Sequence, residues 1–122
     1  MESKKNKLPN AGKNLEEALK IYNKEKSELH FMMVSKAFEI TLEYAWRELK
    51  RRVEDEGLEA PAPKMAIKEA ARLHFITKPE IWLECIDARN NSVHDYFGIS
   101  QAEYCELATE LLTLIQESKI LL

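Results

Sequence analysis

Six hydrogen-bonding side chains fall within eight consecutive positions of this sequence: Arg89, Asn90, Asn91, Ser92, His94 and Asp95, with Tyr96 closing the run. These are side-chain types that bind anions and exchange protons. They occur where the surrounding apolar pattern calls for a packed helical turn. Asn, Ser and Asp compete with the backbone for hydrogen bonds and are mediocre helix formers. Helix propensity is given up here, so the stretch is the first candidate for a functional site. At about 100° per residue, Arg89 and Tyr96 lie within roughly 20° of each other, on the side of Trp82, Ile86 and Val93. Arg89 and His94 diverge by about 140° on a regular helix. Either the Asn90-Asn91-Ser92 step distorts the helix, or a second copy of the chain supplies the matching residue. A plain structural reading stays open: solvated Arg89 and Asp95, a packed His94, and two Asn at a helix end.

The elements that must position this stretch read as helices. The 122 residues fit one domain with one core. Gly is 3 and Pro is 4, against 45% hydrophobic and 32% charged residues, a balance that favours helix and excludes wholesale disorder. The expected fold is all-α, an antiparallel bundle of four to five helices. Residues 1–12 are polar and Lys-rich and are expected to form a flexible arm, with a single domain over 13–122. The first helix is expected from near Lys13, with Leu15, Ala18, Leu19 and Tyr22 on its buried side. Ser27 is a candidate N-cap for a long second helix that stops at Gly57. Its apolar stripe is read as Met33, Ala37, Ile40, Tyr44 and Val53, widened by Phe38, Leu42, Ala45 and Leu49. After the Pro61 and Pro63 connector, a third helix is expected from about Lys64 to Phe75, with Met65, Ala66, Ala70 and Leu73 buried. Thr77-Lys78-Pro79-Glu80 reads as a capping box for a fourth helix, and Ser100-Gln101-Ala102-Glu103 as another for the last. Tyr104, Leu107, Ala108, Leu111, Leu112 and Ile115 form the inner side of that last helix.

Charge and cysteine content narrow the function classes. A net charge of −3 does not indicate a strongly basic nucleic-acid module, though a local basic patch remains compatible with it. Cys85 and Cys105 form no CxxC pair and are read as reduced core thiols. No metal site and no cofactor is expected, and His30 and His74 lack partners at metal-ligand spacing. No apolar run approaches the roughly 20 residues of a membrane span. The lysine-rich start has no following apolar stretch, so no signal peptide is expected and the location is read as cytoplasmic.

Arg89-x4-His94-x-Tyr96 resembles the Arg-x4-His-x-Tyr motif of HEPN domains, the higher eukaryote and prokaryote nucleotide-binding family. The likeness is greatest to the small HEPN proteins paired with minimal nucleotidyltransferases, termed nucleotidyltransferase substrate-binding proteins. Glu43-Tyr44-Ala45-Trp46 with Leu49-Lys50 and Gly57 resembles their second helix. Pro63-Lys64 with Ala70-Ala71 resembles their third, and Trp82-Leu83 ahead of Arg89-Asn90 their fourth. The resemblance spans roughly Leu15 to Ile115.

The resemblance implies a two-fold homodimer, or a larger hetero-oligomer, in which motif residues meet across a cleft. It implies a metal-independent ribonuclease of toxin type that uses the RNA's own 2′-hydroxyl. His94 would act as general acid or base, Arg89 would hold phosphate oxygens, and Asn90 would position the phosphate or the His. Tyr96 would accept AMP from a cognate minimal nucleotidyltransferase, and the added anion would compete for Arg89 and silence the nuclease. The alternative is a non-catalytic subunit that binds a nucleotide or another substrate for a separate nucleotidyltransferase chain. Arg47, Lys50 and Arg51 are weaker candidates for nucleotide or RNA contacts, since with Arg52 they equally suit a solvated helix end. A scaffolding helical dimer without activity is the third possibility.

Overall fold

The computed structural model describes residues 7–91, 100–118 and 121, with the backbone alone at Asn91. Five helices are present among them: α1 (Leu8–Lys24), α2 (Glu28–Asp55), α3 (Pro63–Arg72), α4 (Pro79–Asn91) and α5 (Gln101–Glu117). The architecture is an all-α bundle. No described helix is long and apolar enough to cross a membrane. Ser92, Val93, His94, Asp95 and Tyr96 lie outside the described residues.

Helix α1 begins at Leu8, earlier than the expected start near Lys13. The expected arm through Gly12 is therefore shortened. Pro9 occupies the first turn, where its missing N–H removes no helical bond. A glycine inside a helix costs about 1 kcal/mol, whereas burying a leucine contributes about 1.5–3 kcal/mol. Leu8 and Ala11 are both buried, so their packing outweighs Gly12. Thr41 of α2 donates its hydroxyl to the Ala11 carbonyl at 3.0 Å and to its own Ala37 carbonyl at 2.8 Å, which ties this turn to α2.

Helix α2 is the spine and packs against the other four helices. Ser27 caps it by accepting the His30 N–H at 3.0 Å. At the other end Gly57 takes a positive φ of 88°, a conformation suited to glycine. The Leu58 and Gly57 N–H groups bond back to Val53 and Glu54, closing a Schellman motif.

The buried face of α2 differs from the expected one. Phe31, Val34, Phe38, Leu42, Ala45, Leu49 and Val53 form the core side. Met33 and Ile40 remain 38% and 41% exposed, and Ala37 and Tyr44 are half-buried. The set expected to widen the stripe is the stripe itself. Phe31 and Phe38 each meet Tyr104 of α5 edge-on, at centroid distances of 5.2 and 5.0 Å. These aromatic contacts select the face, because the large rings bury more area than methionine on the other side.

Helix α3 starts at Pro63 and ends at Arg72, short of the expected Phe75. His74 adopts φ 64° after it, and the Phe75 N–H bonds to the Ala70 carbonyl at 2.8 Å. A second Schellman motif thus stops the helix, with histidine where glycine is usual. Ala66 and Ala70 are buried, but Met65 is exposed.

The α4 N-cap is Lys78 rather than Thr77. The Lys78 carbonyl accepts from Ile81 and Trp82, and Pro79 is the first helical residue. The capping box before α5 is formed as expected: Ser100 Oγ accepts the Glu103 N–H at 3.1 Å, and Glu103 accepts the Ser100 N–H at 2.9 Å. Cys85 and Cys105 are free and buried. Burial pushes both thiols up from their ordinary value, and nearby carboxylates push Cys85 further, so neither is a ready nucleophile.

Candidate functional site

Helix α4 buries Trp82, Cys85 and Ile86, and Arg89 continues that same side one turn beyond Ile86. Its stem therefore follows the core edge, and its head emerges between α4 and α2 with 25% of the side chain exposed. There Nη1 donates to Glu43 Oε1 at 2.8 Å, and Nη2 donates to Asn90 Oδ1 at 3.0 Å. Asn90 is exposed and orients the guanidinium from the next position on the helix.

Glu43 lies on α2 beside the buried Leu42. Its second oxygen, Oε2, accepts from Arg47 Nε at 2.6 Å. Its Oε1 also accepts from the Trp46 indole N–H at 3.3 Å. One carboxylate thus joins guanidinium groups from two helices. Burial alone would raise the Glu43 carboxyl. Hydrogen bonds from Arg47 and Trp46, with the charges of Arg47 and Arg89, outweigh burial and hold it below the ordinary value. The Arg47 head also lies 5.9 Å from the Trp46 ring centroid, within cation–π range.

Arg89, Glu43 and Arg47 line an open groove of about 490 Å³, which among the described residues is also bounded by Glu39, Ile40 and Tyr44. A phosphate reaching this groove would meet two planar cations able to donate to several of its oxygens. The less buried side of α2, read from the sequence as its inner stripe, supplies the apolar part of the wall through the exposed Ile40 and the half-buried Tyr44.

The structure brings together only part of the expected site among the described residues. Arg89, Asn90 and Arg47 converge. Lys50 and Arg51 do not join them. Lys50 binds Glu54 at 2.6 Å and the Ala60 carbonyl at 3.1 Å. Arg51 binds Glu48 at 2.6 Å and Asp55 at 3.2 Å on its own helix. His94 and Tyr96 lie outside the described residues, so the structure places neither against Arg89. Glu43 is the residue that sequence reasoning missed as a site component. Its spacing to Arg47 reads as an ordinary helical i,i+4 pair and gives no sign of the contact with α4. Among the described residues, no group of three or more His, Cys, Asp or Glu is placed to hold a metal.

A helical bundle with a groove between α2 and α4, lined by two arginines bridged through one acid, defines a small all-α protein with a charged inter-helix groove. Residues 4–116 match the family described as nucleotidyltransferase substrate binding protein like, and the chain belongs to that family. No curated protein matches the sequence at a significant level.

Proposed function

We propose that this chain is the substrate-binding partner of a separate nucleotidyltransferase chain, and that the Arg89–Arg47 groove takes a phosphate of a nucleotide or RNA. The observation that carries this reading is the convergence of two guanidinium groups on one carboxylate in an open groove. The family assignment supports the kind of partner. Coexpression with a minimal nucleotidyltransferase should yield a complex, and the purified chain should bind nucleotide. Arg89→Gln should weaken that binding by about tenfold or more, since a hydrogen bond to a charged group contributes about 1.5–3 kcal/mol. A chain that binds neither nucleotide nor nucleotidyltransferase removes the proposal.

A finer reading makes the same groove part of a metal-independent ribonuclease, and the motif Arg89-x4-His94-x-Tyr96 favours it. Arg89, with Asn90 beside it, stabilises the charged phosphorane, while His94 transfers protons at the attacking or leaving oxygen. Arg89 and His94 face different ways along a regular helix, so a two-fold homodimer supplies the missing half of each site. AMP transferred to Tyr96 puts a competing anion near Arg89 and silences cleavage. This reading places the protein in the cytoplasm, where RNA and a nucleotidyltransferase partner are both available. RNA cleavage in the presence of chelator, lost in His94→Ala, is the expected result, and equal activity in that variant rejects it. Intact-mass measurement after coexpression should detect AMP, and Tyr96→Phe should abolish the adduct.

A further inference from the structure

Among the described residues that line the groove, two cations face two acids. Arg47 and Arg89 stand against Glu39 and Glu43. Glu43 is the acid placed between the two cations, with one oxygen 2.6 Å from Arg47 and the other 2.8 Å from Arg89. Two oxygens of one phosphate would make the same pair of contacts. With 32% of its side chain exposed, the Glu43 carboxylate has solvent to turn toward when it is displaced.

We propose that Glu43 is a built-in substitute for the ligand's phosphate: it occupies the Arg47–Arg89 clamp at rest, and an incoming phosphate must displace it. The inference rests on the groove being the anion site. Glu43 is then a positioning residue that competes with the ligand. It keeps two like-charged guanidinium groups together, which would otherwise repel each other. It also raises the affinity that any incoming anion must bring. A singly charged phosphodiester gains little by replacing a singly charged carboxylate on the same donors. A terminal phosphate carries a charge approaching −2 near neutral pH and offers three oxygens, so it competes successfully. The clamp therefore holds a terminal phosphate more tightly than an isolated diester, and an internal diester displaces Glu43 only with the help of further contacts along its own chain. The Trp46 N–H, 3.3 Å from Oε1, helps hold the carboxylate at the clamp.

The test compares two probes, inorganic phosphate and dimethyl phosphate, titrated into the full chain and followed by calorimetry or amide NMR shifts. The wild-type protein should bind inorganic phosphate in preference to the diester. Glu43→Gln removes the competing charge and keeps the side-chain shape. It should tighten both probes by about tenfold, because displacing Glu43 costs the same for either. A purely structural Glu43 would give weaker binding of both probes. Glu43→Asp retains the charge but draws it back from both guanidinium groups. It should shift affinity in the same direction by a smaller factor, and it serves if the Gln variant does not fold. A folded variant that binds both probes no better than wild type overturns the inference while leaving the groove as an anion site. No binding of either probe to wild type or to the variants overturns the groove reading and this inference together.

Discussion

Arg89 and Glu43 sit 46 positions apart in sequence and meet at 2.8 Å, joining the last turn of α4 to the middle of α2. Both side chains are a third exposed or less, at 25% and 32%. Solvent therefore screens the pair only in part, and its worth lies near the upper end for surface ion pairs. A double-mutant cycle of Arg89→Ala and Glu43→Ala, followed by urea denaturation, should give a coupling energy of about 0.5–1 kcal/mol. The single change at Glu43 should cost more than that at Arg89, since it also removes the acceptor of Arg47 and Trp46. A coupling indistinguishable from zero would show that the contact does not hold α4 against α2.

Acid should weaken the fold through the same kind of contact. Burial raises the Glu48 carboxyl, but hydrogen bonds from Arg51 and Arg52 and their charges outweigh it, so its value lies below the ordinary 4.5. A carboxyl depressed in the folded state contributes stability that is present above its unfolded value. That contribution is lost as pH falls through the folded value. The stability difference between wild type and Glu48→Gln should thus be constant above about pH 5 and shrink below about pH 4.5. Thermal melts of both proteins across that range measure it. A difference independent of pH would show that Glu48 is not linked to folding.

Much of the fold was legible because chain punctuation is local. Ser27, Gly57 and the Ser100–Glu103 box mark helix ends through bonds that reach at most a few residues. The face of α2 was harder to read. Ile40 and Leu42 lie about 160° apart on a helix, and each belongs to its own apolar series. Periodicity alone cannot say which series meets the rest of the chain. Of the residues lining the candidate groove, Arg89 stood out in the sequence, where polar residues interrupt a helical pattern. Glu43 did not, since its second partner comes from a distant helix. Leu42→Ala should cost about 2–5 kcal/mol, whereas Ile40→Ala should cost under about 1 kcal/mol. Denaturant midpoints of the two variants decide the face, and equal losses would contradict it.

The two Schellman motifs make opposite predictions. Gly57 has φ 88° and His74 has φ 64°, both in the left-handed region. An ordinary side chain there costs about 1–2 kcal/mol. Gly57→Ala should therefore destabilise by about 1 kcal/mol, although an added Cβ meets nothing within 4 Å. His74→Gly relieves the strain, and the greater freedom of glycine in the unfolded chain offsets part of the gain. Its melting temperature should match wild type or exceed it by a few degrees. A large loss on His74→Gly would mean that the imidazole contributes more than the backbone strain costs.

The arginines of α2 separate a ligand contact from helix-surface electrostatics. Arg47 shares Glu43 with Arg89, whereas Arg51 is held by Glu48 and Asp55 on its own helix. If the groove takes the phosphate of a nucleotide or RNA, losing Arg47 removes one direct cationic contact. Arg47→Gln should then weaken binding of a single-stranded RNA and reduce the slope of log K against log salt by about 0.7, the value for one contact to a single strand. Arg51→Gln should leave both affinity and slope close to wild type, since its charge is already matched away from the groove. Fluorescence anisotropy over a salt series reads both quantities. Equal losses for the two variants would indicate diffuse attraction to the basic end of α2. Loss at Arg51 alone would move the binding surface away from Arg89 altogether.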